Sequence, residues 1–249
     1  MAEPFSDVSE DRLLGGSVRL LQPRRGHRAG TDAVLLAGLT PVRPGDVVAD
    51  LGAATGAVGL MIATRMPDVR LLLVERDDGL AELAARNLVL NELGQRAEVV
   101  ATDLFLPRSA RREARLAPGS VDLVVTNPPF FEGEGRASPE PLRRSAHEMA
   151  GGGLVEWVEA AADLLRARGR LALIYRADGL GRCLAALHGS FGSFVITPVY
   201  GRDGEAASRI VVEAVKGGRS PFRIAPALVL HREDGSFTPE AERLHGAPR

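Results

Sequence analysis

From residue 47 onward the chain alternates short apolar runs with stretches of helical period. "VVADL" (47–51) reads as a strand and "GAVGLMIATRM" as the helix behind it. "RLLLVE" (70–75) is the next strand. It leads into "DGLAELAARNLVLNEL", where Leu80, Leu83, Ala84 and Leu88 share one face and Gly94 supplies a stop. "AEVVATD" and "VDLVVTN" give two further strands. "LVEWVEAAADLLRAR" is an amphipathic helix with Glu156 and Glu159 near its start and Arg166 and Arg168 near its end, the order the helix dipole favours. Gly169 is expected to end it, and "RLALIYR" is the strand that follows.

Near-continuous apolar strands separated by helices predict a parallel sheet covered on both faces. "FVITPVYGR" and "SRIVVEAVKG" differ, because the polar segment between them is too short for a crossover helix. They are expected to pair antiparallel. The fold class expected is therefore α/β, a mostly parallel, Rossmann-like seven-stranded sheet with a terminal antiparallel hairpin. This arrangement resembles the class I S-adenosylmethionine (SAM)-dependent methyltransferases; a dinucleotide-binding fold does not usually end this way. Three segments are expected: residues 1–45, contacting cofactor and substrate; a core over 46–220; and an extension over 221–249 packed on that core.

Composition narrows the class. Of 249 residues, 45% are hydrophobic and 25% charged, enough apolar material for a sizeable core. No apolar run approaches the ~18 residues of a membrane span, and the acidic start "MAEPFSDVSEDR" lacks a secretory pattern, so a cytoplasmic protein is expected. The one cysteine, Cys183, leaves neither an intramolecular disulfide nor a cysteine cluster for a metal. A net charge of −1 excludes polyanion binding by bulk charge. Lys216 is the one lysine, so the cations are arginines. They cluster at Arg24, Arg25 and Arg28, at Arg108, Arg111, Arg112 and Arg115, and at Arg143 and Arg144. Each cluster suits either phosphate or plain solvated surface.

Candidate chemistry gathers where strands end. "DLGAATG" (50–56) joins the first core strand to a helix, and in an open α/β sheet ligands bind beyond the carboxyl ends of the strands. Glycines at 52 and 56 let backbone approach a ligand. Glu75 ends the next strand, 19 residues after Gly56, where a carboxylate can bond ribose hydroxyls. A glycine turn with this acid fits nicotinamide enzymes too, and a ligand-free tight turn is the plainer alternative. Asp103 closes "ATDLF", where it can accept from an adenine amino group or cap a loop. Asp50, Glu75, Asp103 and Asn127 thus fall at the ends of successive strands, which favours one shared site.

The run "NPPF" is the most informative. A conjugated amine is a poor nucleophile, because its lone pair is delocalised into the π-system. Acceptors placed where its N–H groups point turn that lone pair toward an electrophile. The Asn127 side-chain oxygen and the Pro128 carbonyl suit this role, with Pro128 and Pro129 holding the backbone extended. Phe130 would stack on a flipped base. An extended Pro-Pro exit from a strand is the bland alternative.

Together with "DRLLGGSVRLLQPRRGHRAGTDAVLLAGL", "ASRIVVEAVKG" and "LVLHREDGSFTPEAERL", these motifs resemble the bacterial tRNA(Val) adenine-N6-methyltransferase family over almost the whole chain. That resemblance implies SAM as cofactor, tRNA as partner, and no metal. It places Arg28, Thr31 and Asp32 near the methionine end, and Asp50, Gly52 and Gly56 around the cofactor's middle. Glu75 falls at the ribose, Asp103 and Leu104 at the adenine, and Asn127 beside the transferred methyl. Thr31 or Asp32 equally suits the N-cap of "AVLLAGL". The family commonly has glycine where this chain has Ala54, a methyl that crowds the cofactor unless the turn shifts. His27 and His147 read as surface residues. Residues 131–152 form a long polar connection expected to order over the target nucleotide, with Arg143 and Arg144 meeting phosphate. Rivals on the same core are a ribosomal RNA guanine-N2 or a protein-glutamine methyltransferase, then a non-catalytic SAM- or RNA-binding module. Oligomeric state is not legible.

Overall fold

In the computed structural model the described residues are 7–26, 28–129 and 153–246. The chain begins with an element the apolar pattern did not predict. β1 (Val8–Leu13) and β2 (Val18–Pro23) form an antiparallel hairpin separate from the main sheet. Val18 and Leu20 are fully buried from it, which anchors the hairpin to the core.

The alternating pattern then unfolds as α1 (Thr31–Leu39), β3 (Val47–Leu51), α2 (Ala57–Arg65), β4 (Arg70–Glu75), α3 (Asp78–Leu90), β5 (Ala97–Ala101), α4 (Arg108–Glu113) and β6 (Val121–Thr126), with α4 a short helix the sequence pattern did not predict. After the connection come α5 (Leu154–Leu164), β7 (Leu165–Arg176), α6 (Leu180–Leu187), β8 (Phe191–Arg202) and β9 (Ala207–Lys216). The main sheet runs β5-β4-β3-β6-β7-β9-β8, with β3 to β7 parallel and β9 antiparallel to both neighbours. The terminal hairpin is therefore present. The sheet has nine strands rather than the seven expected, because β10 (Arg223–Ile224) and β11 (Leu228–His231) pair in parallel with the outer edge of β8. Both are too short to show a period-two pattern. α7 (Pro239–Leu244) packs against β11, with Thr238 capping it through an Oγ1 that accepts from the Ala241 N–H.

The apolar residues divide into two cores, one on each face of the sheet. One joins α1, α2 and the hairpin to Val48, Leu71 and Leu73. The other packs α5 and α6 against Leu51, Val74, Val124 and Leu173. This is the two-sided cover that continuous apolar strands require.

Two helix ends differ from expectation. α3 stops at Leu90, before Gly94, with Glu92 taking the left-handed turn at φ 58°. The Leu93 N–H returns to the Leu88 carbonyl and the Glu92 N–H to Val89, so a Schellman-type end forms without glycine. α5 ends at Leu164, not at Gly169, because Leu165 already pairs with Val121 of β6. The chain slips by a bulge before Arg170 meets Leu123, so Arg166 and Arg168 lie in a strand and Arg166 pairs with Asp122. α1 also lacks the expected cap. Gly30 is its N-cap, and neither Thr31 nor Asp32 serves.

Candidate functional site

The register of the two central strands creates the site. Leu51 of β3 lies opposite Thr126 of β6, so the next residues, Gly52 and Asn127, leave the sheet side by side. β4 pairs with β3 and β5 lies beyond β4, which brings Glu75 and the segment after Ala101 to the same edge.

The turn after β3 is tightly determined. Gly52 and Gly56 have φ of 69° and 88°. A Cβ at Gly52 would lie 3.0 Å from the Trp157 ring, and one at Gly56 would lie 2.8 Å from Leu73. Both glycines are thus required by the core beneath the turn as well as by the backbone, a reason the sequence did not disclose. Ala54 is also left-handed, at φ 49°, a conformation that costs an ordinary L-residue roughly 1–2 kcal/mol. The turn accommodates its methyl by strain in the backbone.

Four amide donors in this turn are already committed. Gly52 and Ala53 donate to the Val74 carbonyl, and Gly56 donates to Ala53. Ala54 donates to Glu75 Oε2 at 2.8 Å. Gly59, in the first turn of α2, donates to Asp50 Oδ2 at 3.0 Å. Asp50 is 2% exposed, so it ties strand to helix from below and does not line the open edge. Burial pushes its carboxyl up to about 7; the Gly59 bond opposes this and the nearby Glu75 charge adds to it. Burial likewise raises Glu75, against backbone N–H bonds from Asp77, Ala54 and Arg76. The antiparallel β9 between β7 and β8, an ending unusual for a dinucleotide-binding fold, sets aside the nicotinamide reading.

The remaining expected residues separate into two groups. Asp103 lies two residues beyond β5, and its Oδ1 accepts from the Phe105 N–H at 2.9 Å, the loop-cap role; among the described residues Oδ2 has no partner. Leu104 is buried beside it. Asn127 is exposed at the end of β6, Pro128 is buried and Pro129 half-buried. Phe130, His27, and the 131–152 connection with Arg143, Arg144 and His147 lie outside the described residues. Arg28 does not point to the strand ends. It donates to Ser9 Oγ, the Pro23 carbonyl and Asp11 Oδ2, all at the hairpin. Asp32 is held by Arg209 Nε of β9 at 3.0 Å. Thr31 is exposed at the start of α1. Of the cluster around α4, Arg111 is buried against Asp163, while Arg108, which also meets Asp163, and Arg115, which meets Glu98, are exposed, as is Arg112.

Trp157 was missed by sequence reasoning. It looked like one more apolar position of α5, yet its ring joins three site segments. Its Nε1–H donates to Thr126 Oγ1 at 3.1 Å, and that hydroxyl donates to the Leu51 carbonyl at 2.8 Å. The ring backs Gly52 and meets Phe105 edge-on, with centroids 6.0 Å apart. A lone tryptophan whose N–H must find a partner was the available signal.

The strand order, the antiparallel β9 and the convergence of Gly52, Glu75 and Asn127 at one edge define a class I methyltransferase. The family model "Methyltransferase small domain" matches residues 29–197, and the chain belongs to that family. A curated relative from Porphyromonas gingivalis, named tRNA1(Val) (adenine(37)-N6)-methyltransferase, is 31% identical over 87% of this chain and 86% of its own. One of the same name from Aeromonas hydrophila is 30% identical over 86% and 87%. Among solved structures, a predicted O-methyltransferase from Agrobacterium tumefaciens superposes with TM-score 0.73 and 31% identity, covering 88% of this chain and 98% of that one. The M. jannaschii TYW2 complex with AdoMet, at TM-score 0.58 and 11% identity over 84% and 85%, shares the fold.

SAM is the methyl donor of this class, and the site suits it. The Glu75 carboxylate has about four lone-pair positions. Three take backbone N–H groups, which leaves one for a ribose hydroxyl. Asp103 Oδ2 is available to an amino group, and the acidic surroundings suit a cation.

Three outcomes follow. Asp50 holds its proton to about pH 7 in the folded chain, whereas an unfolded carboxyl releases it near 3.8. Between these values the folded state binds more protons, so Asp50 lowers stability as pH rises, fully so above about 7. Asp50→Asn keeps an acceptor for Gly59; its Tm should exceed the parent's at pH 8, and the gap should close toward pH 5 in thermal melts. Ala54→Gly should raise Tm by roughly 2–4 °C, the counterpart of about 1 kcal/mol of relieved strain less glycine's entropy. Trp157 is the chain's one tryptophan, so its fluorescence should change on SAM addition, and Trp157→Phe should abolish the signal.

Proposed function

We propose that the protein transfers a methyl group from SAM to the N6 of an adenine in tRNA, at the base next to the anticodon, in the cytoplasm. The observation that carries this reading is the emergence of Asn127 beside Gly52, fixed by the Leu51–Thr126 register. It sets a neutral acceptor next to the cofactor turn. The curated relatives' name supports the choice of adenine in tRNA.

The chemistry needs little from the protein beyond geometry. SAM supplies an electrophilic methyl on a sulfonium. Asn127 Oδ1 and the Pro128 carbonyl accept the two N–H bonds of the exocyclic amine, which directs its lone pair out of conjugation. Pro128 is buried and Pro129 half-buried, so the acceptors are held before substrate arrives. Preorganised polar groups of this kind lower a barrier because they do not reorient during reaction. Once the new bond forms the nitrogen is cationic and acidic, so its proton leaves to water without a dedicated base. Glu75 and Asp103 hold the ribose and adenine of the cofactor, with Leu104 against the ring. Arg28 and Asp32 act at a remove, through the hairpin and Arg209. Stacking of the target base on Phe130 completes the arrangement.

The test uses labelled SAM with separate pools of unmodified tRNA, ribosomal RNA and protein, followed by digestion. N6-methyladenosine in tRNA is the expected product. N2-methylguanosine in ribosomal RNA or methylglutamine would replace the substrate assignment, and no product from any pool would favour a binding module. Asn127→Ala should lower kcat by roughly 10²–10³, as loss of one preorganised donor or acceptor does elsewhere, with SAM affinity largely kept.

A further inference from the structure

The N-terminal hairpin leaves one edge of β2 unpaired by β1, and α3 closes that edge with two asparagine side chains. Asn87 Oδ1 accepts from the Leu21 N–H at 2.7 Å, and its Nδ2 donates to the Leu21 carbonyl at 2.9 Å. One turn on, Asn91 Oδ1 accepts from the Arg19 N–H at 2.8 Å and its Nδ2 donates to the Arg19 carbonyl at 2.7 Å. Each amide exchanges both bonds with one residue, as a partner strand would. The spacing explains why it works: four residues of helix advance about 6 Å and two of strand about 6.7 Å. A helix thus presents two artificial rungs at nearly the strand repeat.

The two asparagines differ in one respect. Asn87 is fully buried, and its Nδ2 also donates to the Thr55 carbonyl at 2.9 Å. Thr55 stands between left-handed Ala54 and Gly56, in the turn that faces the cofactor. Asn91 does not reach that turn; its further bond is to the Asn87 carbonyl in its own helix. The Asn87 amide has one acceptor bond and two donor bonds, all made, so it cannot release one side without leaving a buried group unpaired.

We propose that Asn87 is a positioning residue that couples the N-terminal hairpin to the cofactor turn, so that SAM binds to the two as one unit. The proposal rests on the turn after β3 being the SAM site. Asn87 touches no substrate; it acts through the Thr55 carbonyl and the strained backbone on either side. The coupling is reciprocal, so a ligand that steadies the turn also steadies the Leu21 rung, and leaves the Arg19 rung largely unaffected.

Amide hydrogen exchange on the whole wild-type chain, with and without SAM, tests this directly. Protection of Ala54 and Gly56 checks the site itself. With the turn protected, exchange at Leu21 should slow by about tenfold and exchange at Arg19 by less than about twofold, within the usual range of coupling between sites. Equal responses at Leu21 and Arg19, or none at Leu21, overturn the proposal while the site stands. An unprotected turn overturns the site and the proposal with it. In parallel, Asn87→Ala should weaken SAM binding and raise its KM by about tenfold with kcat at saturation nearly unchanged. Asn91→Ala should leave SAM affinity within about twofold although it also loosens the hairpin. Equal loss of SAM affinity in the two variants would mean that Asn87 only stabilises the hairpin. Where Asn87→Ala does not fold, the wild-type exchange pattern decides.

Discussion

The pairing of Leu51 with Thr126 is the constraint on which the site depends. Two strands 75 residues apart in sequence are aligned so that the glycine turn at Gly52 and the Asn127 amide leave the sheet as neighbours. Backbone register alone would fix this, but one further bond secures it. The Thr126 hydroxyl donates to the Leu51 carbonyl across the same pair, and takes the Trp157 N–H in return. Thr126 is 1% exposed and Trp157 8%, so both bonds lie out of water, where their loss is costlier than at the surface. A slip by one residue would also turn every side chain of the strand to the opposite face, which both cores forbid.

The second constraint is electrostatic. Asp50 and Glu75 are both largely buried under the turn, burial raises both, and the Glu75 charge adds to the cost of ionising Asp50. Both acids have structural work, Asp50 accepting from Gly59 and Glu75 from Ala54, Arg76 and Asp77. In the proposed function the carboxylates, where ionised, would favour a sulfonium over a phosphate at this edge. Four amides of the turn, those of Gly52, Ala53, Ala54 and Gly56, are spent on bonds within the protein. Which donors a turn commits is set by its bonding and not by its glycine spacing.

That difference marks the limit of what the sequence made legible. Strands β3 to β9 and their order of helices follow from periodicity, because each buries one face or two against a long-range partner. Asn127 and Glu75 were visible because they stand at strand ends. The roles of Asp50 and Arg28 were not, since both residue types occur equally in open sites and in internal bonds. Only the surroundings show that Asp50 is covered and that Arg28 closes on Asp11. The β1–β2 hairpin escaped notice for a related reason. Its outer edge is completed by side chains of Asn87 and Asn91, and helical periodicity treats these as polar filler.

The arginines repeat the lesson at a larger scale. With one lysine in the chain, arginine supplies both internal ties and surface charge. Its planar fork suits the first task, since it can hold a carboxylate and a carbonyl together. Arg170 does so, joining β7 to Asp46 and to the Pro41 carbonyl. Arg111 buries its guanidinium against Asp163, and Arg209 links β9 to the first turn of α1. A cluster counted along the sequence therefore overstates the charge available to a polyanion, and each acidic partner cancels part of what remains. In the proposed function, recognition of an RNA would rest less on general attraction than on placing one base between the acceptors at Asn127 and Pro128. Shape and a pair of hydrogen bonds must discriminate where bulk charge does not.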